Sequence, residues 1–224
     1  MELLREFCAE NLTLAPAAVA AGARRIELCD NLAVGGTSPS YGVIRAAVGF
    51  ARANNVQVMA MVRPRGGGFV YSECEQEMML DDITCARTIG VDGVVFGCVR
   101  PGEGGRLELD RELVARLVDA AKAAGASHPP LQVTFHMAFD VLDNKAQLSA
   151  IDELAKLGVE RILTHGGPAG TPILDNVGHL RELVSYAAGR LIILPGGGIT
   201  WQNAGEVADA LGVHEVHGTR IVRL

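Results

Sequence analysis

The sequence predicts an α/β protein built as a single TIM-type (β/α)8 barrel, with the eighth outer helix short or missing. Short runs rich in Val, Ile and Leu alternate with longer amphipathic segments along the whole chain. This alternation is typical of repeated strand–helix units around a parallel sheet. Four of the helical segments end at the same junction, a Gly followed by Ala or Val, and such repetition favours a barrel over an open doubly wound sheet.

The predicted elements follow from these two patterns in chain order. The strands are Leu3–Ala9, Arg25–Cys29, Gln57–Met61, Gly93–Phe96, Leu131–Phe135, Arg161–Thr164, Leu191–Leu194 and Val213–Val216. The helices between them are Thr13–Ala21, Ser40–Asn54, Ser72–Ile89, Asp110–Ala124, Lys145–Leu157, Asn176–Ala187 and Asn203–Ala210. Glycine at the four junctions supplies the left-handed residue that ends a helix and turns the chain into the next strand.

The end of the chain predicts an incomplete outer layer. Only Gly218–Leu224 follow the eighth strand, too few residues for the eighth outer helix of a complete barrel. The groove between the last and first strands would then lack a cover. We expect either a second subunit or the Ile221–Val222 tail to cover it.

Composition narrows the class of protein. A chain of 224 residues with 49% apolar residues is long enough for one well-buried core, so residues 1–224 are predicted to form one barrel domain. The net charge of −6 argues against a nucleic-acid or anionic-membrane partner, because both require a basic surface. No stretch has the basic start of a signal peptide or approaches the ~18 apolar residues of a membrane span. We therefore expect a cytoplasmic protein whose five cysteines stay reduced.

Two predicted strands carry the same Glu-x-Cys pattern. Glu6 and Cys8 lie on the first strand, and Glu27 and Cys29 on the second. Side chains two apart share a face, and neighbouring strands lie ~4.8 Å apart, so two sulfurs and two carboxylates are expected to meet. Soft thiolates select Cu(I) or zinc, which makes Cys8 and Cys29 the predicted metal ligands. The alternative is that both are ordinary buried cysteines, which pack as small hydrophobes.

Arg63 and Arg65 follow the third strand and flank a proline. The loops after the strands form the active face of such barrels, so both guanidinium groups are expected over the barrel mouth. A pair of guanidinium groups suits a carboxylate or phosphate ligand. Alternatively, the two arginines neutralise Glu6 and Glu27, because buried charges need partners.

His136 follows the fifth strand, with Asp140 four residues later. Imidazole titrates near neutral pH, so His136 is a candidate general acid or base that Asp140 would orient. The alternative is a histidine that makes only ordinary polar contacts.

Glycine runs follow the sixth and seventh strands. Gly166 and Gly167 end the sixth, and Gly197 and Gly198 precede a helix expected to be capped near Thr200. Backbone N–H groups without side chains can approach an anion closely, and a helix start adds a positive dipole end. The glycines therefore predict a phosphate-type site, with a tight turn that binds no ligand as the alternative.

Seven segments, taken in order, resemble the copper homeostasis protein CutC family. They are Arg25–Cys29, Gly35–Gly42, Arg63–Gly67 with Phe69 and Tyr71, Asp92–Gly97, Thr134–His136 with Ala138–Asp140, Arg161–Thr164 and Pro195–Ile199. The resemblance covers nearly the whole chain. It implies a single cytosolic barrel that forms a homo-oligomer, an association with copper, and a Cu(I) site at Cys8 and Cys29.

This chain departs from the family pattern at two positions. Met137 stands where relatives usually carry arginine, which weakens an anion site there, and His165 stands where they usually carry serine. Two functions remain open at this point. One is a Cu(I)-binding protein, and the other is an isomerase-type or lyase-type enzyme that acts on a small anionic or phosphorylated metabolite. The predicted catalytic residues of this enzyme are Glu6, Glu27, Arg63, Arg65, His136 and Asp140.

Overall fold

The computed structural model describes residues 2–123 and 129–224, and it contains ten strands and seven α-helices within them. The strands are β1 (Leu4–Glu10), β2 (Arg25–Cys29), β3 (Gln57–Met61), β4 (Gly93–Phe96), β5 (Val99–Pro101), β6 (Leu107–Leu109), β7 (Gln132–Phe135), β8 (Arg161–Thr164), β9 (Ile192–Pro195) and β10 (Glu215–Gly218). The helices are α1 (Ala15–Ala20), α2 (Tyr41–Asn54), α3 (Glu73–Ile89), α4 (Arg111–Lys122), α5 (Asn144–Leu157), α6 (Val177–Ala187) and α7 (Ala204–Leu211). None of these helices combines the length and the apolar character needed to cross a membrane.

Eight strands form one parallel sheet in the order β10-β1-β2-β3-β4-β7-β8-β9. The two strands at the ends of this order, β9 and β10, also contact each other, which brings the sheet round into a nearly closed barrel. Helices alternate with the barrel strands along the chain. The predicted (β/α)8 architecture is confirmed.

The tail after β10 forms no α-helix in residues 219–224, as predicted. Ile221 and Val222 are buried and belong to the main apolar core. The Trp201 N–H donates a 2.8 Å hydrogen bond to the Arg220 carbonyl oxygen, so the tail runs beside the segment that follows β9. The tail thus packs onto the barrel, and its cover of the groove between β10 and β1 stays a prediction.

Two features differ from the predicted elements. A short hairpin of β5 and β6 lies between β4 and α4, where the sequence predicted a loop. The last strand lies at Glu215–Gly218 instead of Val213–Val216, because α7 ends on left-handed Gly212 and the chain needs two more residues before it enters the sheet. This shift places His217 inside the strand. The predicted helix end at Ala124 lies outside the described residues.

The sheet separates two kinds of interior. Its outer face packs against the helices through the main apolar core, which includes Phe7, Ile26 and Phe135. Its inner face carries a smaller cluster of Cys8, Cys29, Met59, Met61 and Val95, together with charged side chains. Alternation along each strand produces this division, because neighbouring side chains point to opposite faces.

A chain of ion pairs fills the inner face near the strand starts. Glu6 pairs with Arg25, whose Nη2 lies 2.7 Å from Glu215 Oε2, and Arg161 Nε lies 2.7 Å from the same oxygen. Arg161 also donates a 2.7 Å hydrogen bond to Gln132 Oε1. Although burial alone opposes the Glu6 charge, Arg25 and His217 lower the pKa of Glu6 to about 2. The buried charges therefore stay ionised because each one has an opposite partner.

Replacing Arg25 tests this network. We expect Arg25→Met to lower the free energy of unfolding by about 3–5 kcal/mol, because Glu6 and Glu215 would remain buried with less compensation. Urea unfolding followed by circular dichroism measures the loss. The matched control is Arg100→Gln, which breaks an ion pair with Glu108 in which both side chains are about half exposed, and which should cost less than about 1 kcal/mol. Equal losses in the two variants would contradict the prediction.

Candidate functional site

Five side chains from three strands come together inside the barrel. The Cα atoms of Cys8 on β1 and Glu27 on β2 are paired in the ladder, and His217 on β10 is paired with Glu6. The ligand atoms of Cys8, Glu27 and Cys29 all lie within 4.8 Å of one another. The same limit holds for Glu6, Glu27 and His217. The two Glu-x-Cys patterns therefore meet, as predicted.

His217 bridges the two carboxylates of this cluster. Its Nδ1 lies 2.8 Å from Glu6 Oε1, and its Nε2 lies 3.7 Å from Glu27 Oε2. The Cys29 thiol donates to the same Glu27 oxygen at 3.6 Å. All of these side chains are buried. Their protonation states are therefore set by one another more than by water.

Each member of the cluster has a shifted pKa. The hydrogen bond with Cys29, helped by His217, lowers the pKa of the Cys8 thiol well below its usual value, and the same contact raises the pKa of Cys29. Burial raises the pKa of Glu27. Burial opposes a charge on His217, but Glu27, Cys8 and Glu6 raise its pKa well above the ordinary range. The cluster thus favours a thiolate at Cys8 beside an imidazolium at His217.

A cavity of about 450 Å³ opens above this cluster among the loops that follow the strands. Its polar lining comes from Cys8, Glu27, Arg63, His136 and His217, with Gly197 and Gly198 at its edge. Its apolar wall includes Met61, Phe69, Met137 and Leu163. The cavity therefore combines a small apolar chamber with a few polar groups, which is the usual composition of a small-molecule site.

Arg63 reaches this cavity from the loop after β3. Its Nη1 donates to the carbonyl oxygens of Val34 at 3.1 Å and Gly36 at 2.9 Å, and its Nη2 donates to that of Gly67 at 2.7 Å. The guanidinium carbon lies 4.9 Å from the centre of the Phe69 ring. Because its partners come from the loops after β2 and β3, Arg63 holds both loops at the barrel mouth.

His136 enters the cavity from the end of β7. Its Nδ1 accepts a 3.1 Å hydrogen bond from the Ala138 N–H, so the neutral ring carries its proton on Nε2. This Nε2 is buried and has no protein partner among the described residues. Burial, together with the positive charge of Arg63, lowers the pKa of His136 to about 3. The ring is therefore a neutral hydrogen-bond donor at physiological pH.

Glycine at position 97 makes room for this ring. A Cβ atom there would overlap His136 Nδ1 and the Cβ of Ala138. The imidazole can therefore lie flat against β4 only because residue 97 has no side chain.

Two predicted site residues lie elsewhere. Arg65 pairs with Glu75 at 2.5 Å and does not line the cavity. Asp140 accepts hydrogen bonds from the Thr164 hydroxyl and, at 3.0 Å, from the His165 N–H, so it does not orient His136 as expected. The proposal that Arg63 and Arg65 neutralise the buried carboxylates is also wrong. Arg25 and His217 neutralise the Glu6 carboxylate instead. They lie opposite Glu6 on the neighbouring strands, and are therefore closer to it than residues beyond the strand ends.

The glycine runs have separate environments. Gly166 and Gly167 line a second depression beside His165 and Asn176, which shares only Met137 with the lining of the main cavity. Gly197 and Gly198, both left-handed, edge the main cavity. The helix after them starts only at Ala204, and the Thr200 N–H donates to the Asn203 side chain in the intervening turn. The expected helix start next to Gly198 is therefore absent, because this turn separates the two.

Sequence reasoning missed two members of the interior, Arg25 and Glu215. Arg25 shares the predicted strand face of Glu27 and Cys29, and this signal could have found it. The sequence offers His217 only as a weaker acid–base candidate after the last strand, because that strand is predicted two residues too early. Only the β1–β10 register shows that it lies beside Glu6.

Comparison with known proteins agrees with this geometry. The CutC family model matches residues 3–222. A CutC family protein of Enterococcus faecalis is 53% identical over 220 residues, which are 98% of this chain and 100% of that protein. The human copper homeostasis protein cutC homolog is 38% identical over 214 residues, 96% of this chain and 72% of that protein. The crystal structure of CutC from Streptococcus agalactiae superposes with a TM-score of 0.90 at 43% identity, covering 98% of this chain and 100% of that one.

The lowered pKa of His136 predicts acid sensitivity. In the unfolded chain His136 binds a proton below its ordinary pKa of 6.5, whereas in the folded protein it stays neutral down to a pKa of about 3. The stability that the neutral ring contributes is therefore fully present above pH 6.5 and is lost as the pH falls toward 3. In His136→Asn, the amide oxygen replaces Nδ1 as the acceptor for Ala138. As the pH is lowered, we expect the free energy of unfolding of this variant to decrease less steeply than that of the wild type, with slopes that differ by up to about 1.4 kcal/mol per pH unit. Urea titrations at about pH 7, 6 and 5 measure the two slopes.

The control for this titration is Gln202→Asn, which replaces one exposed, uncharged amide side chain by another. It should keep the wild-type slope. Identical slopes for His136→Asn and the wild type would contradict the assignment of a neutral, buried imidazole.

Proposed function

The chain belongs to the CutC family, and from this premise we propose that it serves copper homeostasis by binding Cu(I) between Cys8 and Cys29. One observation carries the proposal. The two sulfurs and a Glu27 oxygen, all buried on facing strands, lie within 4.8 Å of one another, so a single ion can contact both sulfurs. Copper is here the cargo of the protein.

The donor set suits this ion. Cu(I) is soft and selects thiolate and thioether ligands over oxygen. Both cysteines share one apolar cluster with Met59 and Met61, which supplies further sulfur atoms around the site. The lowered pKa of Cys8 favours its thiolate form, so less free energy is needed to deprotonate this ligand.

We place this function in the cytoplasm, and we expect identical subunits to associate. A reducing compartment keeps Cys8 and Cys29 as thiols and copper as Cu(I), which this site requires. The state of the cysteines supports the same placement, because all five are free thiols in the structure.

Copper uptake tests the proposal directly. We expect the anaerobically reduced protein to take up a single equivalent of Cu(I) in competition with a chromophoric chelator, and the double variant Cys8→Ala, Cys29→Ala to lose this uptake. The matched control is Cys74→Ala, Cys85→Ala, which removes two thiols from α3 and should bind as the wild type does. Circular dichroism verifies that both variants fold. Uptake that persists in the Cys8 and Cys29 variant would refute the proposal.

A second candidate function is an isomerase-type or lyase-type reaction on a small anionic metabolite, with or without a phosphate group. Glu27 Oε1 and His136 Nε2 both belong to residues that line one cavity, both are buried, and neither has a protein partner among the described residues. Such groups are suited to proton transfer to or from a bound substrate. Of the six residues predicted as catalytic, Glu27, Arg63 and His136 would act here.

Deuterium exchange tests this candidate in the metal-free protein. Pyruvate and dihydroxyacetone phosphate in D2O serve as probes, and nuclear magnetic resonance detects loss of the protons next to their carbonyl groups. We expect catalysed exchange that falls by about 100-fold or more in Glu27→Gln. Asp140→Asn is the matched control, because this carboxylate lies outside the main cavity. Exchange that is absent, or equal in Glu27→Gln and the wild type, would exclude the reaction.

A further inference from the structure

Arg63 is a buried cation without a carboxylate partner among the described residues. Only 5% of its surface is exposed, yet it takes part in none of the ion pairs of those residues. Its three hydrogen bonds go to backbone carbonyl oxygens, which carry no full charge. A guanidinium group has five N–H donors, so about two remain unused.

The other buried arginines show that this is an exception. Arg25 pairs with Glu6 and Glu215, and Arg161 pairs with Glu215. Glu27, which lines the same cavity as Arg63, makes its charged contact with His217 instead. A buried charge without a partner is costly, so an anion that entered the cavity would be strongly favoured next to Arg63.

His136 adds a second unused donor close by. Its ring centroid lies 5.1 Å from that of Phe69, and the Arg63 guanidinium lies 4.9 Å from the centre of the same ring, so the two groups share one aromatic neighbour. The buried Nε2–H of His136 has no protein acceptor among the described residues. A carboxylate satisfies both groups when it pairs with the guanidinium and one of its oxygens also accepts from the imidazole.

The rest of the cavity limits the ligand. The wall includes Met61, Phe69, Met137 and Leu163, and the volume of about 450 Å³ is that of a small-molecule site. Arg63 is the only buried arginine in the described lining, while Arg220 lies exposed at its rim. One buried guanidinium matches the single charge and the two oxygens of a carboxylate better than the double charge of a phosphate.

We propose that the barrel cavity binds a small organic monocarboxylate, with its carboxylate on Arg63, one of the carboxylate oxygens also accepting from His136 Nε2–H, and an apolar chain against Met61 and Leu163. The proposal names the ligand class for the second candidate function and rests on that function only for turnover. It uses no thiol, so it is independent of copper binding.

Binding of butyrate and of its uncharged amide, butyramide, tests the proposal on the metal-free full chain. Ligand-observed nuclear magnetic resonance titrations give the dissociation constants. We expect butyrate to bind at least about tenfold more tightly than butyramide, because only the acid offers a charge to Arg63. Equal affinities for the two compounds, or no binding of butyrate, would overturn the proposal without a variant having to fold.

Two neighbouring arginines provide the matched variants. Arg63→Gln should weaken butyrate binding at least about tenfold and leave butyramide unaffected, whereas Arg65→Gln should leave both unchanged, because Arg65 lies outside the cavity. Equal weakening by the two substitutions would point to general surface attraction and refute the site.

Further variants separate the proposal from the two functions above. The double variant Cys8→Ala, Cys29→Ala should still bind butyrate although it no longer takes up copper. Wild-type protein that binds butyrate without catalysing the exchange would support the ligand site and exclude only the second candidate function. Loss of butyrate binding in the thiol variant would place the ligand at the metal cluster and overturn the assignment to Arg63.

Discussion

Charges buried inside the barrel must neutralise one another, and the register of the strands determines how they do so. The β1 ladder pairs Glu6 with Arg25 on one side and with His217 on the other. Glu215 then joins Arg25 to Arg161 across the interior. A slip of one residue in any of these strands would turn these side chains to the helix-covered face, which packs through the main apolar core. The ion pairs therefore form only in the native strand register, and they in turn stabilise that register.

This network is also the floor of the functional cavity. It holds His217 against Glu6, and His217 in turn contacts Glu27. Because these groups project from strands, their positions depend on the most rigid part of the molecule. A site that must offer a preorganised thiolate gains from such support, since little reorganisation remains to be made when a ligand arrives.

The cavity carries two chemistries on different strands. Soft sulfur ligands and carboxylates rise from β1 and β2, whereas Arg63 and His136 enter from the ends of β3 and β7. The first group suits a soft cation and the second an oxygen anion, so the two proposed ligands do not compete for the same atoms. An anion on Arg63 would also complete the charge balance that the protein itself leaves open at that residue. Copper binding and a carboxylate site can therefore coexist in one barrel.

The sequence by itself determined the barrel, the missing eighth helix and the meeting of the two Glu-x-Cys patterns, because periodicity, helix ends and side-chain alternation are local properties. It also placed Arg63 and His136 after strands, where the active face lies. Only the tertiary structure decided which charges pair. Arg25 and His217 neutralise Glu6, Arg65 turns to Glu75, and Asp140 binds Thr164 and the His165 N–H. Such partners depend on register between strands up to 211 residues apart in sequence and on how loops fold over the mouth, and neither is encoded in any short segment.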